Sequence, residues 1–166
     1  MENIKVRKPV PGDLQSLLDI YNYEVENSVA TFDLHPKTLD DFRVWYDSHN
    51  IGNHPLIVAE IGGQAVGYAT LSSYRDKEAY SSTVELSVYI SPNHRGKGAA
   101  NALMREIIDM AKKDERTHTV VSVITSGNEA SRHLHEKFGF TYCGTMEEVG
   151  KKFGRYLGTD SYTLLV

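Results

Sequence analysis

The sequence predicts a mixed α/β domain, and three observations carry that prediction. Two stretches near the start place apolar residues at helical spacing. A run of β-rich segments follows, two of them split by Gly62-Gly63. The turn Arg95-Gly96-Lys97-Gly98-Ala99-Ala100 then joins an alternating strand to a strongly periodic helix. With 166 residues, 40% apolar and 24% charged, the chain has the size and composition of one ordinary core. Residues 1–166 are expected to form a single domain.

Each element has a local reason. Ile4 to Arg7 reads as a short first strand. Pro11-Gly12-Asp13 punctuates, with Asp13 placed to cap a helix to about Glu26, whose stripe is Leu14, Leu17, Leu18, Tyr21 and Val25. Ser28 to Pro36 reads as a loop. Thr38-Leu39-Asp40-Asp41 resembles a capping box, and Leu39, Phe42, Trp45 and Tyr46 give the next helix its apolar side. Leu56–Ile61 and Ala65–Ser72 predict a hairpin around Gly62-Gly63. Val84, Leu86, Val88 and Ile90 alternate with Glu85, Ser87 and Tyr89 in a third long strand, ended by Pro92-Asn93-His94. Ala100, Leu103, Met104, Ile107, Ile108 and Ala111 mark the helix after the glycine turn. His118–Ile124 is a compact strand. Asn128–Lys137 is a helix with Gly139 just past its end. Phe140–Val149 and Tyr162–Val166 are expected as closing strands joined by a Gly- and Lys-rich loop.

The net charge of −4 argues against non-specific nucleic-acid binding, which needs a basic surface. A single cysteine, Cys143, excludes an internal disulfide and suits a reducing compartment. It is expected to pack as an apolar residue. Met1 to Lys5 hold no apolar signal core, and no run is long enough to span a bilayer. A cytoplasmic location and no membrane partner are therefore expected.

The glycine turn carries the chemistry. A helix start leaves main-chain N–H groups unpaired and adds partial positive charge, and Gly96 and Gly98 let an anion approach the backbone. A nucleotide P-loop would follow Gly96-Lys97 with Ser or Thr, but Gly98 stands there, so no hydroxyl is placed for Mg²⁺. The three-glycine dinucleotide spacing is missing too. A diphosphate bound without metal remains, as in coenzyme A. A plain tight turn before a helix fits the short pattern equally well.

Arg95-x-x-Gly98-x-Ala100 resembles the Q/R-x-x-G-x-G/A signature of the GNAT superfamily of N-acetyltransferases, and the element order is similar over nearly the whole chain. Asn128-Glu129-Ala130-Ser131-Arg132-His133-Leu134-His135-Glu136-Lys137-Phe138-Gly139-Phe140 resembles that superfamily's N-x-x-[AS]-x-x-L-x-x-x-x-G-F helix. Tyr21-Asn22, Ala30-Thr31-Phe32, Ala79-Tyr80, Thr83-Val84-Glu85, Ser87–Ile90, Leu134-His135-Glu136 and Gly150–Arg155 resemble the phosphinothricin and methionine sulfone/sulfoximine acetyltransferase branch. The resemblance implies the GNAT fold, one mixed, mostly antiparallel sheet with helices on both faces. It also implies acetyl-CoA as cosubstrate, a small amino acid or analogue acetylated on its α-amino group, and a homodimer.

It further implies roles. Glu85 matches the general base, which takes a proton from the amine directly or through water; by alternation alone Glu85 reads as a solvent-facing acid. Val88, Tyr89 and Ile90 match the segment that holds the pantetheine arm, with a main-chain N–H, that of Val88, at the developing oxyanion. Arg95, Gly96, Lys97, Gly98, Ala99, Ala100 and Asn101 would hold the diphosphate. Asn128, with Ser131 nearby, would bond the pantetheine arm; Asn128 also suits a helix N-cap, and the two roles are compatible. His135 stands where many relatives carry a tyrosine acid, so it protonates the leaving thiolate, contacts coenzyme A, or is a half-buried helix residue. His133 and His135 are two apart and point to different faces, so no metal is expected.

Arg75 and Tyr80 match positions facing the acceptor, where Arg75 can pair with a carboxylate. Ser87 and Phe32 would wall the pocket, with Lys152 or Arg155 reaching it from the late loop. Tyr74, Lys77, Tyr156 and Gly158 depart from the branch's usual residues, all around the acceptor. Rival readings are a polyamine, an aminoglycoside or a protein N-terminus as acceptor, or a non-catalytic acetyl-CoA-binding module. A sensor would need no base at Glu85.

Overall fold

The computed structural model describes residues 3–166, so Met1 and Glu2 of the N-terminal stretch lie outside it. Its strands are β1 (Ile4–Arg7), β2 (Leu56–Ile61), β3 (Gln64–Ser73), β4 (Thr83–Ile90), β5 (Thr119–Thr125), β6 (Thr141–Lys152) and β7 (Arg155–Leu165). The helices are α1 (Leu14–Asn27), α2 (Leu39–Asp47), α3 (Ala99–Lys113) and α4 (Glu129–Lys137). The strands make one sheet in the order β1-β2-β3-β4-β5-β7-β6. Every pairing is antiparallel except β4 with β5.

Alternation in β4 sets the layers, because successive side chains leave a strand on opposite faces. Val84 and Leu86 join one core with Leu103, Met104, Ile107 and Ile108 of α3, and Leu134 of α4 and Phe138 just past its end pack against it. Tyr89 packs on the second core, built from Leu14, Leu17, Leu18, Phe42 and Tyr68 under α1 and α2. Helices therefore cover both faces of the sheet. Leu103 is fully buried at the centre of the α3 stripe. Leu103→Ala is expected to cost about 2–5 kcal/mol, read as a lower midpoint in urea unfolding.

Several local signals hold. Gly62 and Gly63 take φ 59° and 82°, the two positive values of a type I′ hairpin turn. The Asp41 amide donates to Thr38 Oγ1 at 3.2 Å, closing the capping box of α2. Asp13 differs from expectation. Its carboxylate makes no cap for α1 and instead accepts from the Arg7 guanidinium, at 2.7 and 3.0 Å, and from the Val10 amide at 2.8 Å. A charged donor outcompetes a helix amide for the same oxygen.

The C-terminal third departs most. The expected Gly- and Lys-rich loop is strand: β6 runs on to Lys152, β7 starts at Arg155, and only Phe153-Gly154 turn between them, with φ 51° and 74°. Gly154 serves the tight turn. Gly150 lies under the Phe32 ring so closely that a β-carbon would overlap it. Register shifts at Tyr142/Gly144 and Met146/Gly150 break the alternation that would have marked a strand. Cys143 falls in the first of these bulges and is exposed, not packed.

Candidate active site

β4 and β5 pair over only three residues, Thr83–Glu85 with Thr119–Val121. Beyond that point the strands part. Leu86–Ile90 stay with β3, and Ser122–Thr125 stay with β7. The fork opens into a cavity of about 940 Å³, walled by Ser87–Ile90, Ser122–Asn128, the turn before α3, and part of α4. The Ser91 amide donates to the Val66 carbonyl at 2.8 Å, which turns the polar groups of odd-numbered β4 residues toward β3. The main-chain N–H and C=O of Val88 and Ile90 therefore face the fork.

The glycine turn closes the open end. Gly96 and Gly98 take φ 73° and 95°, and Gly98 is the N-cap of α3. A β-carbon at Gly96 would meet nothing within 4 Å, and one at Gly98 only Ile4 Cδ1 at 3.6 Å. Backbone conformation, not crowding, requires glycine here. The helix ladder starts with the Ala102 amide on the Gly98 carbonyl, so the Ala99, Ala100 and Asn101 amides precede it. Lys137 Nζ donates to Asn101 Oδ1 at 2.6 Å. Lys97 is exposed in the turn. Arg95 pairs with the buried Glu24 carboxylate of α1, which also accepts from Ser28.

On the α4 side, Asn128 caps the helix by accepting from the Ser131 amide at 3.2 Å and also lines the cavity. His135 is buried rather than half-buried, with its ring edge-on to Phe140. Nδ1 lies 2.7 Å from the Ser131 carbonyl oxygen and Nε2 2.7 Å from Ser122 Oγ. Burial pushes its pKa down, against the pull of the Ser131 carbonyl bond.

Glu85 is the last β4 residue paired to β5, at the apex of the fork, and it does not itself line the cavity, whose β4 wall begins at Ser87. It shares a strand face with Ser87 and Tyr89. The carboxylate is half-buried and takes no side-chain hydrogen bond or ion pair among the described residues. Burial raises its pKa above the ordinary glutamate value. Tyr89 is pushed up to about 12 by burial and by the Glu24 charge, so its hydroxyl stays protonated near neutral pH.

The remaining predicted residues are not all gathered. Arg75 lies outside the cavity wall, its guanidinium 5.0 Å from the Tyr74 ring centre and 5.5 Å from that of Tyr80. Arg155 is exposed and lines the cavity. Lys152 is buried, away from that wall, with Nζ donating to the Thr31 carbonyl at 2.8 Å and the Glu24 carbonyl at 3.4 Å. Desolvation lowers its pKa. Phe32 sits on Gly150. Among the described residues no three His, Cys, Asp or Glu side chains are grouped as metal ligands. No helix among them is long and apolar enough to cross a membrane.

A model of the acetyltransferase (GNAT) family matches residues 17–140, from α1 through α4. The chain belongs to the GNAT acetyltransferase family. Its relatives place it on the phosphinothricin and methionine sulfoximine/sulfone branch. The phosphinothricin N-acetyltransferase of Streptomyces coelicolor is 42% identical over 156 residues, covering 92% of this chain and 91% of that protein. The L-methionine sulfoximine/L-methionine sulfone acetyltransferase of Pseudomonas paraeruginosa is 37% identical over 153 residues, covering 92% and 88%. The crystal structure of a Sinorhizobium meliloti phosphinothricin acetyltransferase, in complex with acetyl-CoA, superposes with a TM-score of 0.93 at 32% identity, covering 98% and 88%.

Within this acetyltransferase, sequence reasoning passed over Glu24, Ser28, Ser122 and Thr125. Each lines the cavity. Thr125 Oγ1 donates to the Val29 carbonyl at 2.5 Å and ties β5 to the loop after α1. Ser122 is a single polar residue in an apolar run, the others stand in mixed sequence, and one sequence carries no motif that marks any of them. Partners such as Arg95 and Glu24 lie 71 positions apart.

Proposed function

We propose that residues 1–166 act as one acetyltransferase domain that acetylates the α-amino group of a small amino acid or analogue of the phosphinothricin or methionine sulfoximine type, by direct attack with Glu85 as general base. The observation that carries this reading is the forked cavity, with a helix N-terminus at its open end; Glu85, whose half-buried carboxylate is unpartnered among the described residues, stands at the strand junction two residues before Ser87, where the β4 part of the cavity wall begins. Acetyl-CoA, when bound, supplies an acetyl group activated as a thioester. The donor set fits it. The amides from Gly96 to Asn101 suit a diphosphate, and the fork-facing polar groups of Val88 and Ile90 suit the amides of the pantetheine arm.

Glu85 takes the proton that an ammonium group must lose before its nitrogen can attack. Its raised pKa brings the carboxylate nearer the proton it must accept. The Val88 N–H stabilises charge on the carbonyl oxygen. Holding both substrates in one fork removes a bimolecular encounter. Arg75 has no acidic partner among the described residues and is steadied by two aromatic rings, which suits a substrate carboxylate. A homodimer belongs to the same reading, and exposed Tyr142, Met146, Val149, Phe153 and Tyr156, on β6, β7 and the turn between them, give it an apolar surface. So does a cytoplasmic location, where acetyl-CoA is available.

The test is release of free coenzyme A with a panel of amines. Phosphinothricin, methionine sulfoximine, methionine sulfone and methionine are expected to turn over, and spermidine and kanamycin are not. Turnover on the polycations alone would overturn the acceptor. Cofactor binding with no turnover on any amine would leave a binding module.

A further inference from the structure

Both ring nitrogens of His135 are engaged. The Ser131 carbonyl oxygen at Nδ1 can only accept, so Nδ1 carries a hydrogen, and in the neutral ring Nε2 accepts from the Ser122 hydroxyl. The short path for a proton leaving Nε2 therefore runs through Ser122 Oγ. Ser122 is the first β5 residue beyond the last one paired to β4, at the deep end of the fork, and it lines the cavity. A second pair has the same bonding: His49 Nδ1 on the Trp45 carbonyl at 2.7 Å and Nε2 on Ser72 Oγ at 2.8 Å. That pair lies outside the cavity wall, so the pattern alone satisfies a buried imidazole. What sets Ser122 apart is its place in the cavity that the thioester would occupy.

We propose that Ser122 is the catalytic residue that meets the thioester sulfur, and that His135 is a positioning residue acting through it. The proposal rests on the acetyl-CoA reading of the cavity. The step starts from the imidazolium, the form that burial disfavours and the Ser131 carbonyl bond supports: Nδ1–H donates to the Ser131 carbonyl, Nε2–H donates to Ser122 Oγ, and the Ser122 hydrogen turns into the cavity. As the C–S bond breaks, its electron pair stays on sulfur. Ser122 gives its proton to that sulfur and takes the Nε2 proton in return. His135 is left neutral, with Ser122 again its donor, and regains a proton from water once coenzyme A leaves.

Two measurements test this. The first needs no turnover. The thiol of bound coenzyme A, followed by thiolate absorption in the ultraviolet, is expected to ionise at lower pH on the native protein than on Ser122→Ala, because a hydroxyl donor stabilises the thiolate. Identical titrations would overturn the proposal. The second compares donors. Ser122→Ala is expected to lower kcat with acetyl-CoA by about 10²-fold at unchanged KM, with Ser122→Thr restoring much of it. The defect is expected to shrink with the acetyl selenoester of the coenzyme, whose selenolate leaves without a proton. His135→Gln is expected to lose a similar factor, and the double variant no more than either single. An equal defect with both donors, or none, overturns the role of Ser122 while leaving the acetyltransferase reading intact. Failure of the native protein to bind coenzyme A overturns both.

Discussion

Glu85→Gln is expected to lower kcat by about 10²–10⁴-fold at neutral pH while the Kd for acetyl-CoA stays within a factor of about two. Glutamine keeps the shape and hydrogen-bonding reach of the side chain but cannot take a proton. The cofactor's proposed contacts lie on other residues, from Val88 to Asn101 and at Asn128, so affinity has no reason to move. The pH dependence gives a second reading. Burial raises the pKa of Glu85, and a base works only when ionised. Native kcat/KM should fall as pH drops through that raised value. The deficit of Glu85→Gln should narrow as pH rises toward the pKa of the amine, where the substrate arrives already deprotonated. Stability should move the other way. A carboxyl whose folded pKa lies above its unfolded value favours the folded state more as pH falls and penalises it once ionised. The neutral glutamine removes that penalty, so Tm at neutral pH is expected to equal or exceed the native value, with the gap closing in acid. A variant with native turnover at neutral pH would remove Glu85 from the mechanism.

The contrast between α3 and β6 explains how far the sequence can be read. The strand–turn–helix around Gly98 is written locally. Alternation over Val84–Ile90, two glycines at positive φ, and an apolar stripe from Leu103 to Ala111 each depend on near neighbours alone. The capping box at Thr38 and the turn at Gly62-Gly63 are legible for the same reason. β6 is not. Its bulges at Cys143 and at Glu147–Val149 interrupt the period of two, and its glycines answer to distant surfaces: Gly150 to Phe32, and Gly158 on the partner strand to Ser126 Oγ and the Met146 carbonyl. The site divides in the same way. Gly96, Gly98, Asn128 and Glu85 stand in patterned segments. Ser122 is one polar residue in the apolar run Val120–Ile124, and its meaning comes from His135, brought to it by the packing of α4 on the sheet. Asp13 shows the converse, a good local cap signal overruled by Arg7 across the turn.

Gly98→Val is expected to weaken coenzyme A binding by about 5- to 150-fold, the equivalent of the 1–3 kcal/mol that a non-glycine residue pays in a disfavoured backbone region. Gly98 takes φ 95°, a value that a β-branched residue cannot hold without strain. Packing contributes little, since a β-carbon there meets only Ile4 Cδ1 at ordinary contact distance. The loss should come from rotation of the first amides of α3 away from the diphosphate. Isothermal calorimetry with coenzyme A would measure it. A truncated donor, S-acetyl-pantetheine, separates the causes because it lacks the diphosphate. Its KM should be the same for Gly98→Val and the native protein. A parallel loss with the truncated donor would mean that the substitution deforms the fork itself, through Ala99 and the α3 core beneath it. Equal affinity for the whole coenzyme would mean that the diphosphate is held by side chains, and that the unpaired amides at the start of α3 do not grip it.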